Sequence, residues 1–290
     1  MISPGLDLAD MGKKKRPVAQ PAPYVAPLFD AHTHLASCGA RDEASIAALM
    51  DRAMAAGVAG VCTIGDGLPE TELAVAASRL HPRVWAAAAI HPTRAHELDD
   101  AARARLTEMA SEERVVAIGE TGLDEYWIGK MDDCAPLDVQ IEALHWHMGL
   151  AAGVGKPLMI HNREADENLM RELDGYDGTV ILHCFSSPIA VAREALERGY
   201  VLSFTGNVTF KRNADLRLAV EEAPAEQLLV ETDAPYMTAE PFRGARNEST
   251  FIGWQARCMA EARGMSAEDM AVQLTANAER VYGISVPALG

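Results

Sequence analysis

Short apolar runs alternate with amphipathic segments along most of the chain. From Leu28 onward, eight runs have the length of buried strands, and each precedes a stretch rich in Ala, Leu, Glu and Arg that is typical of helices. The predicted strands cover 28–34, 58–64, 84–90, 115–119, 157–161, 179–184, 200–204 and 227–232. The predicted helices cover about 43–56, 70–80, 97–110, 137–152, 165–173, 188–198, 213–222 and 250–263, with a last helix over about 266–281.

This alternation predicts a single α/β domain over 28–290. Eight strand–helix units with no Pro/Gly/Ser-rich linker between them predict a (β/α)8 barrel. An open doubly wound sheet is the alternative, although eight units is many for that fold. The longest apolar run, Val84–Ile90, is far shorter than the roughly 20 residues that a membrane span requires, so we expect no membrane partner.

The first 27 residues differ from the rest of the chain. A basic run is followed by repeated prolines, and this composition predicts a disordered, solvated arm over 1–27, with a weak nucleic-acid tether as the alternative. The prolines interrupt any signal-peptide core, and the five scattered cysteines indicate free thiols, so we expect a cytoplasmic protein. The residues that define the arm are Lys13, Lys14, Lys15, Arg16, Pro17, Pro21, Pro23 and Pro27.

The net charge of −16 argues against a protein that coats duplex nucleic acid, because such a protein presents a basic surface. The charge does not argue against an enzyme that binds one phosphate through metal ions, since those ions supply positive charge locally.

Metal-binding side chains follow the predicted strands, at the point where each strand ends. In a (β/α)8 barrel these ends meet on one rim, where active sites are built. We therefore expect the following residues to converge: His32, His34, His91, Glu120, His161, His183 and Asp233.

The spacing of His32 and His34 favours chelation. Residues two apart on a strand point to the same face, so both imidazoles can reach one metal ion. His145 and His147 have the same spacing inside a predicted helix, where a two-residue step turns the side chains about 200° apart. We interpret this second pair as packing or surface residues.

The number of these side chains predicts more than one metal ion. Four imidazoles and two carboxylates exceed the ligands of one tetrahedral ion and suit two divalent ions with a bridging carboxylate. Mixed nitrogen and oxygen ligands are compatible with Mg, Mn or Zn. The sequence contains neither a Gly-rich phosphate loop nor a G-x-S-x-G nucleophile motif.

Several motifs, in order, resemble those of the TatD family of metal-dependent deoxyribonucleases over about 28–285. Asp30-Ala-His32-Thr-His34 resembles the opening motif of that family, and Gly119-Glu120-Thr-Gly-Leu-Asp124 resembles its central motif. Further matching segments are His161-Asn-Arg163, His183-Cys-Phe-Ser186, Glu231-Thr-Asp-Ala-Pro-Tyr236 and Asn277-Ala-Glu-Arg280.

The resemblance implies a ligand set and a reaction. His32, His34 and Asp233 would bind one ion, His161 and His183 the other, and Glu120 would bridge them. The implied reaction is hydrolysis of DNA phosphodiesters, often as a 3′→5′ exonuclease linked to DNA repair, with single-stranded DNA or 3′ ends as substrate.

Other residues near the predicted ligands have expected roles as well. Asp233 is the expected general base. Asp30 is expected to orient a metal-bound imidazole. Glu231 faces the same way as Asp233 and is either a buried hydrogen-bond partner or a site residue.

The loops suggest substrate contacts and also depart from the family pattern. His91, Arg163 and Arg243 are the expected substrate-binding residues. A guanidinium matches phosphate oxygens, which favours this role for Arg163, and a surface arginine at a helix end is the alternative. The departures are Phe242 in place of His or Tyr, Ser187 in place of Gly, and a longer loop after Asp124 that adds Asp132 and Asp133.

Two other classes of function remain open. A D-aminoacyl-tRNA deacylase, or a small-molecule amidase or phosphoesterase, would use the same dimetal site, because metal centres are reused across chemistries. A non-enzymatic scaffold would tolerate the loss of ligands, yet none of the expected ligands is missing.

Overall fold

A computed structural model describes residues 17–289. Eight parallel strands pair in the order in which they occur along the chain, and helices alternate with them, so the predicted (β/α)8 barrel is confirmed. The strands are Leu28–Thr33 (β1), Val58–Thr63 (β2), Val84–Ala87 (β3), Val115–Asp124 (β4), Leu158–Arg163 (β5), Val180–Leu182 (β6), Val201–Phe204 (β7) and Leu228–Val230 (β8).

The α-helices lie between and after these strands. They are Glu43–Ala55 (α1), Leu68–Leu80 (α2), Asp100–Ala110 (α3), Leu137–Val154 (α4), Asp166–Glu172 (α5), Ile189–Glu197 (α6), Ala214–Glu222 (α7), Gly253–Arg263 (α8) and Ala267–Tyr282 (α9). None of the helices in the described chain is long and apolar enough to span a bilayer.

The barrel closes where its first strand meets its last. His34 N–H donates to the carbonyl oxygen of Ala234 at 2.8 Å, and Asp233 N–H donates to that of His32 at 2.9 Å. These bonds join β1 to the segment after β8, so the sheet has no free edge there. We refer to this junction as the seam.

Alternate residues of each strand pack on opposite sides of the sheet. Phe29, Met159 and Leu229 belong to one apolar cluster, and their neighbours Leu28, Leu158 and Leu228 belong to another that packs against the helices. This alternation follows from the two-residue period of a strand. Tyr282, at the end of α9, joins the first cluster and donates its hydroxyl to the carbonyl of Ala31 at 2.8 Å.

Strand β4 is longer than predicted, because it continues five residues past Gly119 to Asp124. Two glycines of this strand, Gly119 and Gly122, allow close contact with β5. A side chain at Gly119 would overlap Met159, and one at Gly122 would overlap the carbonyl oxygen of His161. Both Glu120 and Asp124 are therefore held on rigid strand rather than in a loop.

Strand β3 and helix α3 are shorter than predicted. Pro92 begins a 3₁₀ helix, Pro92–Glu97, which separates the end of β3 from α3. Helix α3 begins after Asp99, whose carboxylate accepts a hydrogen bond from Ala102 N–H. The remaining strands and helices overlap their predicted ranges.

The predicted disordered arm, 1–27, requires a correction for its second part. Residues 17–27 lack regular secondary structure but contact the barrel, since Trp254 donates to the carbonyl of Gln20 and Arg257 to that of Pro23, both at 2.9 Å. Thr275 donates to the carbonyl of Pro27 at 2.9 Å. The basic run Lys13–Arg16 lies outside the described residues.

Candidate metal centre

The first group of predicted ligands lies at the seam. The Nε2 atoms of His32 and His34 are 3.2 Å apart. The Oδ1 atom of Asp233 is 3.7 Å from the first and 3.4 Å from the second, and Glu120 Oε1 is 3.8 and 3.5 Å away. The two imidazoles share one face of β1, whereas Asp233 follows β8, so strand closure brings them together.

The second group lies on the other side of Glu120. The Oε2 atom of Glu120 is 3.3 Å from His161 Nδ1 and 2.7 Å from His183 Nε2. The two oxygens of one carboxylate thus face two separate imidazole pairs. Such an arrangement is suited to a carboxylate that bridges two ions.

The chemistry of the donor atoms fits divalent cations. The Nε2 of His183 is buried and has no hydrogen-bond partner among the described residues, since its short approach to Glu120 lacks hydrogen-bond geometry. A buried nitrogen of this kind normally needs a partner. Ions among these nitrogen and oxygen atoms would satisfy all of them, and the mixed set leaves the identity of the metal open.

Charge in this centre is unevenly distributed between neighbouring imidazoles. Burial and the charge of His183 hold the pKa of His32 well below its usual value. Burial alone would lower the pKa of His34, but its bond to Asp233 and the charges of Glu120 and Asp66 raise it to about 9. Burial opposes ionisation of Glu120 as well, yet the charge of His183 lowers its pKa well below the usual value.

Three of the imidazoles are oriented by a carboxylate on their other ring nitrogen. Asp124 Oδ2 is 3.0 Å from His161 Nε2, and Glu231 Oε1 is 3.3 Å from His183 Nδ1. Asp66, whose side chain is 40% exposed, lies 3.4 Å from His34 Nδ1. A partner of this kind fixes the tautomer that leaves the first nitrogen free for a metal ion.

Two of these carboxylates, those of Asp66 and Asp124, had no predicted role. Asp124 lies four residues after Glu120, and both project from the same face of β4 when that strand continues through Gly122. Asp66 lies three residues after the end of β2, the position that carries ligands on other strands. The position of Asp66 after the end of a strand, and of Asp124 on an extended β4, was the sequence signal that could have identified these two residues.

Asp30 does not contact an imidazole, contrary to the expectation for this residue. Its carboxylate accepts hydrogen bonds from Thr232 N–H at 2.8 Å and from the Thr232 hydroxyl at 2.6 Å. Burial raises the pKa of Asp30 to about 7. The role that the structure supports is to join β1 to β8, with a weaker contact from the backbone N–H of His32 at 3.4 Å.

Glu231, expected to be either a buried hydrogen-bond partner or a site residue, has three polar partners. It accepts hydrogen bonds from Cys184 N–H at 2.6 Å and from the hydroxyl of Ser203 at 2.5 Å, besides its contact with His183. It therefore connects β6, β7 and β8 beneath the second imidazole pair.

The expected substrate-binding residues lie at different points around the barrel mouth. The ring of His91 is 4.4 Å from that of His161, and burial lowers the pKa of His91 to about 3. Arg163 lies over the ring of Tyr126 at 3.9 Å. Arg243 lies over Phe210 at 4.4 Å, in the loop after β8.

The two helical histidines are a packing residue and a surface residue, as their spacing in a helix predicted. His147 is buried and bonds to the carbonyl of Ala143 at 2.7 Å, whereas His145 is half exposed and contacts Glu172 at 2.9 Å. Among the departures from the family pattern, Ser187 donates to Asp166 at 2.6 Å, Phe242 packs against Trp254, and Asp132 and Asp133 are exposed.

Comparison with known proteins identifies the family. A family model described as TatD related DNase matches residues 29–283. A Mycobacterium tuberculosis protein named uncharacterized metal-dependent hydrolase TatD is 49% identical over 259 residues, which cover 89% of this chain and 98% of that protein. A Cronobacter sakazakii protein named 3′-5′ ssDNA/RNA exonuclease TatD is 34% identical over 242 residues, covering 81% and 90%.

A solved structure supports the same fold. The crystal structure of YjjV, a TatD homolog from Escherichia coli, superposes with a TM-score of 0.81 at 24% identity, covering 89% of this chain and 98% of that one. With the family model matching nearly all of the barrel, the chain belongs to the TatD family of metal-dependent hydrolases.

Proposed function

We propose that this protein is a 3′→5′ exonuclease that hydrolyses phosphodiester bonds in single-stranded DNA, using two divalent ions. The observation that carries the proposal is the position of Glu120, because its two oxygens face two separate imidazole pairs. Relatives named 3′-5′ ssDNA/RNA exonucleases are 31–35% identical over at least 90% of their own length, which supports the same substrate class.

Six side chains would hold the ions. His32, His34 and Asp233 would bind the first, His161 and His183 the second, and Glu120 both. Ions in such a centre lower the pKa of a water molecule toward neutrality and stabilise the charge that develops on phosphoryl oxygens.

Asp233 is the residue that we propose as general base. Its side chain is 11% exposed, so it meets both the first imidazole pair and the open mouth of the barrel. It adopts a left-handed backbone conformation with φ of 52°, which is rare for a residue with a side chain and is typical of functional positions. From there its carboxylate would accept the proton of the attacking water.

The residues around the mouth would hold the substrate. Arg163 is the last residue of β5 and Arg243 lies in the loop after β8, and neither forms an ion pair within the described chain. Their guanidinium groups are available to phosphate oxygens. His91, which burial keeps neutral, would contact the phosphate beside the second ion.

The test uses single-stranded DNA labelled at either the 3′ or the 5′ end, with Mg²⁺, Mn²⁺ or Zn²⁺ supplied separately. We expect metal-dependent shortening from the 3′ end. The variant Asp233→Asn should reduce the rate by at least about a hundredfold, as expected for loss of a general base. Asp132→Asn, an exposed rim variant with the same change in charge, should retain the wild-type rate.

Failure to cleave with any of the three metals would overturn the proposed activity. Near-normal turnover by Asp233→Asn, with cleavage otherwise intact, would remove Asp233 as the base and leave the activity standing.

A further inference from the structure

Aromatic rings of the loop after β4 contact two cations at the barrel mouth, one from the same loop and one from the end of β5. Lys130 Nζ lies 3.7 Å from the centre of the Tyr126 ring, and the guanidinium of Arg163 lies 3.9 Å from it. The indole of Trp127 stands nearly perpendicular to that ring, with centres 4.9 Å apart, and is 5.3 Å from Arg163. We call Tyr126, Trp127, Lys130 and Arg163 the aromatic patch.

Neither Lys130 nor Arg163 pairs with a carboxylate, or donates a side-chain hydrogen bond, to any described residue. Several arginines on the outer helices do pair, as Arg193 does with Glu222 at 2.7 Å. Contact with an aromatic ring holds a cation in place without using its N–H donors, which remain available to an anion.

Apolar side chains beside the patch are also left uncovered. Ile128 is 36% exposed and Met131 is 41% exposed, and Trp127 is half-buried. Large apolar side chains grouped on an exposed loop indicate a surface that a ligand covers. The grouping of an indole, apolar side chains and unpaired cations suits a ligand with a flat ring and a phosphate.

The base of the loop is fixed to the metal centre through Asp124. One oxygen of its carboxylate accepts a hydrogen bond from Trp127 N–H at 2.9 Å, and the other is 3.0 Å from Nε2 of His161. Glu125 adds bonds to the backbone of Arg163 at 3.0 Å and to Asn168 at 2.6 Å. The patch is therefore held at a set position relative to the second imidazole pair.

From these contacts we infer that the aromatic patch is a subsite for one unpaired nucleotide beside the phosphate that is cleaved. Its base stacks on Trp127, and Lys130 and Arg163 bind the adjoining phosphate. A base within a duplex has both faces covered, so this subsite selects single strands. The inference rests on the proposed nuclease activity and adds the structural feature that selects its substrate.

The test removes single bases from the substrate. Single-stranded oligonucleotides of one sequence carry a tetrahydrofuran abasic residue at each of the last four 3′ positions in turn. We expect one position at which loss of the base slows cleavage about tenfold, the effect of one stacked base. Single-turnover rates and fluorescence-anisotropy binding constants are measured on the same set.

Matched variants then locate the effect. Trp127→Ala should cleave the intact strand as slowly as the wild type cleaves the sensitive abasic strand, so the difference between the two substrates disappears. Trp127→Phe should keep most of the rate difference between the intact and the abasic strand. Trp146→Ala removes an indole that contacts Arg103 between α3 and α4, and it should retain the full difference.

Equal rates and equal affinities for intact and abasic strands at every position in the wild type would overturn the subsite. If no strand is cleaved, the nuclease proposal fails, and base-dependent binding that disappears in Trp127→Ala but not in Trp127→Phe would still support the subsite.

Discussion

At the scale of single residues, the orientation of the imidazoles in the candidate metal centre depends on the group that contacts the second nitrogen of each ring. His34, His161 and His183 each have a carboxylate on the nitrogen that faces away from Glu120, whereas the corresponding nitrogen of His32 is 3.1 Å from the sulfur of Met159. A carboxylate can only accept a hydrogen bond, so it selects the tautomer whose other nitrogen is a free lone pair.

Asp124→Asn tests this dependence. The amide can donate to His161 Nε2 through its nitrogen while its oxygen still accepts from Trp127 N–H, and this orientation favours the tautomer with a proton on Nδ1. We expect the affinity of the variant for one of the two proposed ions to fall about 10–100-fold, the range for loss of a carboxylate that orients a metal-binding histidine. Isothermal titration calorimetry with the metal ion measures this change.

The matched control for that titration is Asp138→Asn, which makes the same change at an exposed position on α4. Two unchanged binding steps in Asp124→Asn would contradict the orienting role of Asp124.

At the scale of secondary structure elements, the approach of β4 to β5 sets the position of the bridging carboxylate. Gly122 has φ of +133° and lies opposite His161 in the strand register, where a side chain has no space. Gly149, in the interior of α4, is exposed and has open space around it.

Alanine at these two glycines should have opposite effects. Gly122→Ala combines a strained backbone with a steric overlap, and we expect it to lower the free energy of unfolding by about 2 kcal/mol or more. Gly149→Ala should raise it by about 0.5–1 kcal/mol, because alanine has the higher helix propensity. Urea denaturation measures both, and a neutral Gly122→Ala would show that β4 can move away from β5.

Helix α4 supports the same region through a buried histidine. His147 accepts a hydrogen bond from Ile90 N–H at 3.4 Å and donates to the carbonyl of Ala143. Burial lowers its pKa from 6.5 to about 4, so the folded protein keeps the ring neutral while the unfolded chain takes up a proton below pH 6.5. The folded state is therefore stabilised above pH 6.5, and that contribution is lost as the pH falls toward 4.

The size of this effect follows from the shift in pKa and is about 3 kcal/mol in full. The variant His147→Gln lacks the titrating group. At pH 7 this variant should be less stable than the wild type. By pH 4.5 the difference between their free energies of unfolding should become smaller by about 2–3 kcal/mol. A gap that stays constant between these pH values, in urea denaturation, would show that His147 does not titrate in this way.

The sequence was most informative where the two-residue period of a strand, or the end of a strand, determines where a side chain points. The two-residue period of β1 was sufficient to predict that His32 and His34 share a face, and the repeated strand ends predicted the side chains that the structure brings around Glu120. Asp66 also follows a strand end, but no periodicity relates it to His34, so its contact with that ring could not be predicted. The contacts of residues 17–27 were also out of reach, because Trp254 and Arg257, which bind their carbonyls, lie far along the chain.

At the scale of the whole molecule, the candidate metal centre joins distant parts of the barrel. Its six predicted ligands lie on β4 and β5, at or just after the ends of β1 and β6, and in the segment after β8. Ions bound there would stabilise the folded protein and not the unfolded chain, by about 4 kcal/mol at a concentration a thousandfold above the dissociation constant.

Removal of metal should therefore lower the melting temperature. We expect EDTA to lower Tm by about 10 °C, the shift that this free energy produces in a domain of this size. Manganese or zinc in excess should restore it. Glu120→Ala, which removes the proposed bridge, should lose most of this dependence, and its metal content should fall below two ions. Two fully occupied ions in Glu120→Ala would contradict the bridging assignment.

The seam has a consequence for how the enzyme is made. Asp30 and Thr232, which join β1 to β8 there, are 202 positions apart. A ribosome releases the first imidazole pair early and Asp233 only near the end of synthesis, whereas Glu120, His161 and His183 emerge together with the middle of the chain. Glu231, which contacts His183 Nδ1, also emerges only together with Asp233, so the second imidazole pair lacks one of its orienting carboxylates until β8 has been made. The half that contains the proposed base forms only on a complete chain, so a prematurely terminated product would have no hydrolytic activity.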